Sequence, residues 1–476
     1  MRRRLARGAK IVLAVLAPAF LLASCMTVSP EPAPIDPAAT ARSLAQRSLQ
    51  DPEISAALAR MGLSPTSGWT LDALTVAAWT LRSDIAVAIA DVSAGTSAER
   101  VAALMPNPTL SLDPSYFVTN FLQDPSPWVI ATALAFPIET AGKREIRVAQ
   151  AQADTETRRW RLAETLWLAR TELRRSFVAH GIAQRSVALA EGELTLRTAY
   201  LDWVETQIRF GLGIGADRLT AQTNLARAQA QLRTAQVELV TAEAQIAAAT
   251  GVAMENLPLS QLVPIAIDAL PPPDATDLGT LRDWGVVNRL TVRHALADYI
   301  VTEEALRMAV ARQYPDITIG PGYSFDRGDH AITLAVGFTV PLLHDERDAI
   351  AQALDVRARA AAQFQAAQSL ALGEIDTASA RYRAASAALA AARSAEDSAA
   401  RAVSEVDRRL AAGAADRGEV LTVQLGLAVA QRASLDALRA VTDALGSLED
   451  GVQRPIWPAS NLMLQRPDSS APEQTP

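Results

Sequence analysis

The amino-acid sequence repeats itself at a distance of about 200 residues, and this duplication limits the possible folds more than any other feature. Residues 107–117 match residues 314–324 in their prolines, apolar positions and tyrosine, and residues 136–138 match residues 340–342. A fixed internal period marks a repeated structural unit. We therefore expect two similar halves joined by a proline-rich linker. The predicted ranges are 68–257 for the first half, 258–283 for the linker and 284–453 for the second half.

Each half contains two short segments in which bulky apolar residues alternate with small or polar ones. In the last of these segments the apolar residues are Ile332, Leu334, Val336 and Phe338. A period of two is typical of a β-strand, and about ten residues is the length of a tilted strand that crosses a bilayer. The apolar positions would then face lipid, whereas a small soluble hairpin with one buried face is the alternative. The four predicted strands cover about 107–117, 128–137, 315–325 and 331–341.

Other segments carry apolar residues at helical spacing over unusual lengths. The run 142–208 contains 67 residues, which at 1.5 Å per residue is roughly 100 Å of helix. Helices of globular proteins average about three turns, so this run does not fit a compact domain. In the run 216–250, leucine and alanine follow 3,4 spacing, which predicts a coiled coil. The other predicted helices are 71–104 in the first half, and 284–313, 345–410 and 416–450 in the second.

Composition argues against several classes of function. The net charge is −7, whereas nucleic-acid binding needs a concentrated basic surface. One cysteine excludes an intramolecular disulfide framework, and four scattered histidines leave little for a metal cage. The glycines of residues 211–216 lie between two predicted helices and not after a strand, so a dinucleotide-binding role is not expected. We expect no catalytic residues, no metal and no cofactor.

The N-terminal residues are typical of a secretory signal. Basic residues precede an apolar run at 11–23 that is too short to span a bilayer comfortably. The run ends in Leu22-Ala23-Ser24-Cys25, which resembles a bacterial lipobox, where the signal is cut before a cysteine that is then lipidated. The alternative is a plain secretory signal with an incidental cysteine at Cys25. Prolines from Pro30 onward predict an extended chain. The predicted ranges are 1–24 for the signal peptide, 25–67 for a lipidated tether and 454–476 for a disordered tail.

Together these features resemble the TolC-type outer-membrane efflux family across nearly the whole mature chain. Residues 136–144, Phe-Pro-Ile-Glu-Thr-Ala-Gly-Lys-Arg, are similar to the segment at this place in the heavy-metal branch typified by CzcC, whereas the second half departs from it there. The resemblance implies a mainly α fold with a small membrane β-barrel and a passive duct rather than an enzyme. The residue after the cysteine is Met26. In this position the chain resembles lipoproteins that are sorted to the outer membrane.

Barrel closure supports the homotrimer that the family implies. Four strands cannot close a membrane barrel, since bacterial barrels have at least about eight, and an open edge is not tolerated in lipid. Three chains would supply twelve strands and twelve helical columns. The implied partners are outer-membrane lipid, a periplasmic adaptor protein and an inner-membrane pump of the RND type, in a tripartite efflux pump or a type I secretion system. The alternative is an elongated periplasmic structural or adaptor lipoprotein without a pore.

A glycine-containing turn joins the two helices of each long pair. Gly213 and Gly413 are predicted to occupy equivalent places, each followed by an acid and a base. The resemblance implies that these turns are periplasmic tips that form the regulated entrance and the adaptor contact. Asp217 and Asp416 would form an acidic ring that favours cations, or a latch with a nearby arginine; the alternative is that they are solvated turn residues. The predicted tip residues are Gly211, Gly213, Asp217 and Arg218 in the first half and Gly413, Asp416 and Arg417 in the second.

Overall fold

The computed structural model describes residues 30–64, 68–118, 126–272, 277–341 and 345–457. Cys25, the predicted signal peptide and most of the predicted tail therefore lie outside the described residues. The chain divides into two compact units, residues 1–46 and 47–476. In the first unit, helix α1 (Pro37–Ala45) begins after Asp36, whose carboxylate accepts hydrogen bonds from the first backbone N–H groups of the helix.

The second unit is mainly helical with one small antiparallel sheet, which confirms the predicted fold class. Its two longest helices contain 67 and 65 residues, or roughly 100 Å each at 1.5 Å per residue. The helices are α2 (Pro52–Arg60), α3 (Leu71–Leu81), α4 (Ser83–Ala102), α5 (Lys143–Arg209), α6 (Gly215–Thr250), α7 (Leu278–Asn288), α8 (Leu290–Ala311), α9 (Arg347–Ala411) and α10 (Arg417–Val452). The strands are β1 (Thr109–Tyr116), β2 (Trp128–Ile138), β3 (Ile317–Asp326) and β4 (Asp329–Phe338).

The four strands form one sheet in the order β1-β2-β3-β4. The hairpin of the first half therefore joins the hairpin of the second through antiparallel pairing of β2 with β3. Each strand overlaps a segment that the alternating pattern predicts. Within the described residues β1 and β4 pair on one side only, so one chain leaves an open edge on each side of the sheet.

The predicted helices 71–104 and 284–313 are each broken into two. α3 and α4 meet at Arg82, and α7 and α8 meet at Arg289, and at both residues the backbone is extended. Neither arginine is flanked by proline or glycine. Tertiary contacts, rather than helix-breaking residues, therefore explain both breaks.

The two arginines at the breaks make the same ion pair in each half. Arg82 Nη1 lies 2.7 Å from Glu172 Oε2 on α5, and Arg289 Nη2 lies 2.6 Å from Glu374 Oε2 on α9. Both arginine side chains are largely buried. The duplication thus extends to a contact between a short helix and the long helix of its own half.

The predicted tether at 25–67 contains packed structure, which corrects the expectation of an extended chain. Ile54 and Leu58 on α2 are buried, and so is Leu49 before it. These residues join a hydrophobic cluster with α3 and the end of α6. Pro52 begins a helix because proline is compatible with the first helical turn, where its missing N–H is not needed. Packing therefore begins before residue 68.

The long helices pair along their lengths. α5 packs against α6, and α9 packs against α10. On α6 the alanines Ala221, Ala228, Ala235 and Ala242 are buried at every seventh position, which is the spacing of a coiled-coil seam. α8 and α10 of the second half also pack against α5. The two halves therefore meet along α5 as well as at the pairing of β2 with β3.

None of the described helices is by itself both long and apolar enough to cross a membrane. By length and composition alone, only the pair α3 and α4, which is bent by 60°, meets that requirement.

Candidate functional site

The register of the sheet places bulky apolar residues on one face across all four strands. Residues directly opposite each other in an antiparallel sheet share a face. Thr132 on β2 faces Leu112 on one side and Tyr323 on the other, and Tyr323 faces Ile332. The predicted residues on β4 share this face and are exposed. This face carries Leu110, Leu112 and Pro114 on β1, Ile130, Leu134 and Phe136 on β2, Ile317, Ile319 and Tyr323 on β3, and Ile332, Leu334, Val336 and Phe338 on β4.

The opposite face of the sheet carries mostly small side chains. Gly322 faces Thr333, and both lie on this face. A Cβ atom added to Gly322 would lie 2.6 Å from Thr333 Oγ1 and 2.9 Å from the carbonyl oxygen of Thr132. Glycine is therefore required by the close approach of the neighbouring strands. The sheet has a bulky apolar side and a compact, largely polar or small side.

Aromatic side chains gather at the hairpin end of the sheet. The rings of Tyr116 and Trp128 meet edge to face with their centroids 5.0 Å apart. Tyr323 Oη and His330 Nδ1 are joined by a hydrogen bond of 2.5 Å. Rings with a polar tip are enriched where a membrane protein meets the membrane–water interface. The sheet therefore carries rings with polar tips at its hairpin end.

Lys143, the first residue of α5, binds the strand-to-helix junctions of the two halves together. Its Nζ donates to the carbonyl oxygen of Tyr314 at 2.6 Å and to Asp316 Oδ1 at 2.7 Å. The backbone N–H of Thr140 donates to the same Asp316 oxygen at 3.0 Å. These contacts close the base of the sheet where β2 leaves it and β3 enters it. The sequence motif at 136–144 thus forms a junction between the halves.

Two arginines in the first turns of α5 bind the end of α4. Arg144 Nε donates to the carbonyl oxygen of Ala103 at 2.8 Å, and Arg147 Nε donates to that of Ala102 at 2.9 Å. Arg147 also forms an ion pair with Glu139. Cationic side chains satisfy the last carbonyls of a helix and interact favourably with its dipole. The motif therefore holds α4, β2 and α5 in one arrangement.

The turns at the two tips share a backbone conformation. α5 is followed by Gly211 with φ 74°, and α9 is followed by Gly413 with φ 73°. In both turns the next N–H donates to a carbonyl of the last helical turn, at 2.9 Å after Gly211 and 2.8 Å after Gly413. This is the pattern of a Schellman cap, which favours glycine. The structural equivalent of Gly413 is therefore Gly211, and the predicted equivalence with Gly213 is wrong.

The predicted acids of the tips cap helices, and they do so at different positions. Asp416 precedes α10 and accepts a hydrogen bond from the N–H of Glu419 at 2.8 Å. Asp217 lies in the first turn of α6 and accepts a hydrogen bond from the N–H of Ile214 at 3.1 Å. By position Asp217 corresponds to Glu419, and Asp416 corresponds to Ile214. Each tip therefore carries one part of a capping box.

Arg409 forms the ion pair that joins the two helices of the second tip. It binds Glu419, which joins the end of α9 to the start of α10, and it also donates to the carbonyl oxygen of Ala414 at 3.0 Å. Arg218 and Arg417 are exposed in the first turns of α6 and α10. The first tip differs in exposing large apolar side chains, namely Phe210, Leu212, Ile214 and Leu219.

A buried ion pair joins the two halves, and sequence reasoning missed it. Arg170 on α5 pairs with Glu449 on α10, and both side chains are almost fully buried. Arg174 Nε lies 3.8 Å from the same carboxylate, and burial lowers the pKa of Arg174. The only sequence signal is that Arg170 follows Leu166 by four residues and so shares an apolar face of its helix.

Among the described residues no group of three histidine, cysteine or carboxylate side chains is placed to hold a metal ion. His294 on α8 lies between two carboxylates, with Nδ1 3.4 Å from Glu164 on α5 and Nε2 3.6 Å from Asp298. The interaction with Glu164 raises the pKa of His294. The pKa of His180 on α5 is lowered, because that ring is buried.

The fold is similar to those of solved outer-membrane proteins. For VceC of Vibrio cholerae the TM-score is 0.64 with 18% identity over 80% of this chain and 95% of that one. For the CmeC channel of Campylobacter jejuni the TM-score is 0.65 with 12% identity, over 90% of this chain and 93% of that one. For the open state of the MtrE channel of Neisseria gonorrhoeae the TM-score is 0.59 with 14% identity, over 80% of this chain and 88% of that one. At these identities the similarity concerns the fold alone.

A family model described as outer membrane efflux protein matches residues 75–252 and 286–450, one segment in each half of the duplication. No curated protein sequence matches the chain. The two matched segments together span more than half of the chain. The chain therefore belongs to the outer membrane efflux protein family, whose members are channels and not enzymes.

Proposed function

We propose that three copies of this chain form a passive channel that carries substrate from the periplasm to the exterior. The observation that carries this proposal is the sheet, which has one apolar face, one face of small residues and an open edge at β1 and at β4 among the described strands. An open edge in lipid leaves backbone N–H and C=O groups unpaired, and each unpaired group costs roughly several kcal/mol. Three copies would supply twelve strands and remove every edge.

The two faces of the sheet then have separate functions. Ile332, Leu334, Val336 and Phe338 face lipid, and the small residues opposite face a water-filled lumen. The long helices continue this duct into the periplasm as twelve columns. Conduction through such a duct needs neither a cofactor nor a catalytic residue.

The tips are the proposed entrance and adaptor contact. Gly211, Gly213, Asp217 and Arg218 belong to the first tip, and Gly413, Asp416 and Arg417 belong to the second. The apolar residues exposed at the first tip support this assignment, because clustered apolar side chains on a surface mark contact sites. The proposed partners are a periplasmic adaptor protein and an inner-membrane pump of the RND type, and the alternative is a type I secretion system.

The similarity of residues 136–144 to the heavy-metal branch supports no particular cargo. Lys143 and Arg144 in this segment bind backbone groups of the junction between strands and helices. In this chain the segment therefore has a structural role. We expect the pump that supplies the channel to set the exported substrate.

The proposed anchor is the lipidated Cys25 after removal of residues 1–24. Several acyl chains on one residue make a stable anchor, whereas one chain binds only marginally. The strands supply a second, independent attachment to the bilayer. The anchor and the pore are separate functions of the chain.

Electrical recording from the purified full-length chain in planar lipid bilayers tests the proposal. We expect discrete conductance steps from the fraction that migrates as a trimer, and none from monomer. A stable trimer without conductance would contradict the channel and would favour a structural lipoprotein. A chain that stays monomeric in lipid and does not conduct would contradict both the trimer and the channel.

A further inference from the structure

The duplication places one arginine of each half in the same structural position, but the hydrogen bonds of the two arginines differ. Arg82 immediately precedes α4, and Arg289 immediately precedes α8. Each pairs with the glutamate at the equivalent position of the long helix of its own half. Arg82 is therefore an internal reference for the partners that a guanidinium group takes in this position.

Every nitrogen of the Arg82 guanidinium group has an acceptor. Nε and Nη2 donate to the two carboxylate oxygens of Asp84, at 3.1 Å and 2.9 Å. Nη1 donates to Glu172 Oε2 at 2.7 Å and to the carbonyl oxygen of Ala249 at 3.2 Å. The guanidinium group thus has two carboxylate partners, one from its own helix and one from the long helix.

The second half lacks the carboxylate that corresponds to Asp84. Asp84 is the second residue of α4, whereas the second residue of α8 is Thr291. Arg289 Nη2 has its glutamate partner, but Nε and Nη1 are buried and have no hydrogen-bond partner among the described residues. The side chain as a whole is only 8% exposed. Buried donors are nearly always paired, so these two nitrogens indicate a missing acceptor.

Arg289 lines a cavity of about 1680 Å³, which has room for such an acceptor. The middle parts of α5 and α9 and the last turns of α10 also line it. A second buried arginine, Arg174, borders the same cavity, with a side chain that is 2% exposed and an Nε that lacks a hydrogen-bond partner within the described ranges. The carboxylate of Glu449 lies 3.8 Å from this nitrogen and makes a shorter contact with Arg170. Guanidinium groups from both halves therefore border one cavity.

Carboxylates line the cavity as well, but most of them already have an arginine partner. The paired ones are Glu172 with Arg82, Glu374 with Arg289, and Asp450 with Arg175. Asp443 has no ion pair in the part of the chain that the structure describes, and burial raises the pKa of its carboxyl. The arginines that line the cavity are Arg174, Arg175, Arg289 and Arg381. Because its buried nitrogens without acceptors belong to arginines, the cavity is suited to an anion rather than to a cation.

We propose that this cavity binds an oxyanion, a carboxylate or phosphate group, beside Arg289, in the role that the carboxylate of Asp84 has beside Arg82, with Arg174 as a further cationic group. Guanidinium groups bind both kinds of oxyanion through strong, charge-assisted hydrogen bonds. The site goes beyond the proposed channel and does not depend on it.

Thermal unfolding of the full-length chain in inorganic phosphate, at an ionic strength kept constant with NaCl, tests the site. A ligand that binds only the folded state stabilises it by an equal step for each tenfold rise in concentration above its Kd. We therefore expect the unfolding temperature to rise in this way with phosphate. Phosphate also stabilises proteins by exclusion from their surface, so calorimetric titration of the folded chain should in addition find saturable binding.

Thr291→Asp rebuilds the arrangement of the first half. Its carboxylate should pair with Arg289, so we expect a higher unfolding temperature without phosphate. Phosphate binding should weaken by about tenfold or more, because hydrogen bonds to a charged group are lost. Thr291→Asn is the matched control, because it has nearly the shape of the aspartate without its charge and should keep the phosphate response. Equal phosphate binding in wild type and Thr291→Asp would overturn the site.

Acetate in place of phosphate distinguishes the two sources of the oxyanion. Saturable binding of both anions would support a site that also accepts the carboxylates of organic solutes, and binding of phosphate alone would support a phosphate site. Absence of saturable binding of either anion to the wild-type chain would overturn the inference. The channel would stand in that case, because conductance in planar bilayers is measured independently.

Discussion

Arg170 and Glu449 show how much one pair of residues contributes inside a helix pair. Removing one partner of a buried ion pair leaves an uncompensated charge, which costs about 3 to 5 kcal/mol, whereas replacing both by apolar residues is often neutral. We expect Glu449→Leu, which leaves both Arg170 and Arg174 buried without this carboxylate, to lower the unfolding temperature more than Arg170→Met, which leaves Glu449 beside Arg174. Thermal unfolding of the purified chain followed by circular dichroism measures both. Equal loss in these two variants would contradict a role for charge compensation.

His294 makes the stability of the contact between α8 and α5 depend on pH. Its folded-state pKa is raised, chiefly by Glu164, while Arg161 opposes the effect. The stabilisation is therefore fully present below the unfolded pKa of about 6.5 and is lost as the pH rises through the folded pKa. We expect His294→Gln to lower the unfolding temperature more at acidic than at alkaline pH.

His180 supplies a control of opposite sign. Burial lowers its folded-state pKa, so the fold loses stability as the pH falls and the ring must take up a proton. His180→Gln should therefore remove some of the acid sensitivity of the wild-type chain. If both variants changed the pH profile in the same direction, the assignment of His294 to the contact with Glu164 would be wrong.

At the scale of the element, the reversal after each long helix depends on a left-handed residue. Gly413 has φ 73°, a conformation that costs an L-residue about 1 to 2 kcal/mol. We expect Gly413→Ala to destabilise the tip by about this amount, measured as faster amide hydrogen exchange in the last turn of α9. Gly215→Ala is the control, because a Cβ there meets no atom within 4 Å and its φ is not positive.

The two faces of β4 should respond differently to charge. Val336→Arg on the apolar face should cost roughly 2 to 4 kcal/mol if it faces the middle of a bilayer, because an arginine must leave water. Ala335→Arg on the opposite face should leave trimer assembly intact and alter conductance. Heat-modifiable migration on gels reports assembly, and bilayer recording reports conductance. Equal loss of assembly in both variants would contradict the proposed faces.

At the scale of the whole molecule, lipid anchor and pore should be separable. We expect mass spectrometry of the mature N-terminus to find lipid on Cys25, and we expect Cys25→Ser, exported behind a signal that does not require lipidation, to insert in the membrane through its strands. Resistance to extraction by alkaline carbonate measures insertion. An unmodified cysteine would contradict the anchor, and a soluble Cys25→Ser chain would contradict insertion by the strands.

The sequence by itself determined those features that depend on near neighbours along the chain. The period of two on Ile332, Leu334, Val336 and Phe338 follows from the geometry of a strand, and the long helices follow from apolar residues at helical spacing. The internal duplication predicted two similar halves for the same reason, since equal local sequences form equal local structures. Even so, the predicted equivalence of Gly213 with Gly413 is wrong. It follows the acid and the base after each glycine, whereas the backbone aligns Gly211 with Gly413.

Only the tertiary structure decided the contacts that join distant segments. The pairing of β2 with β3, the breaks at Arg82 and Arg289 and the burial of Arg170 against Glu449 each bring together residues that are far apart in sequence. Local propensity does not encode such contacts, because an arginine within a helix has the same neighbours along the chain whether it faces water or a partner helix. Packing selects between these states, since a buried charge is tolerated only where a partner of opposite charge is already held in place.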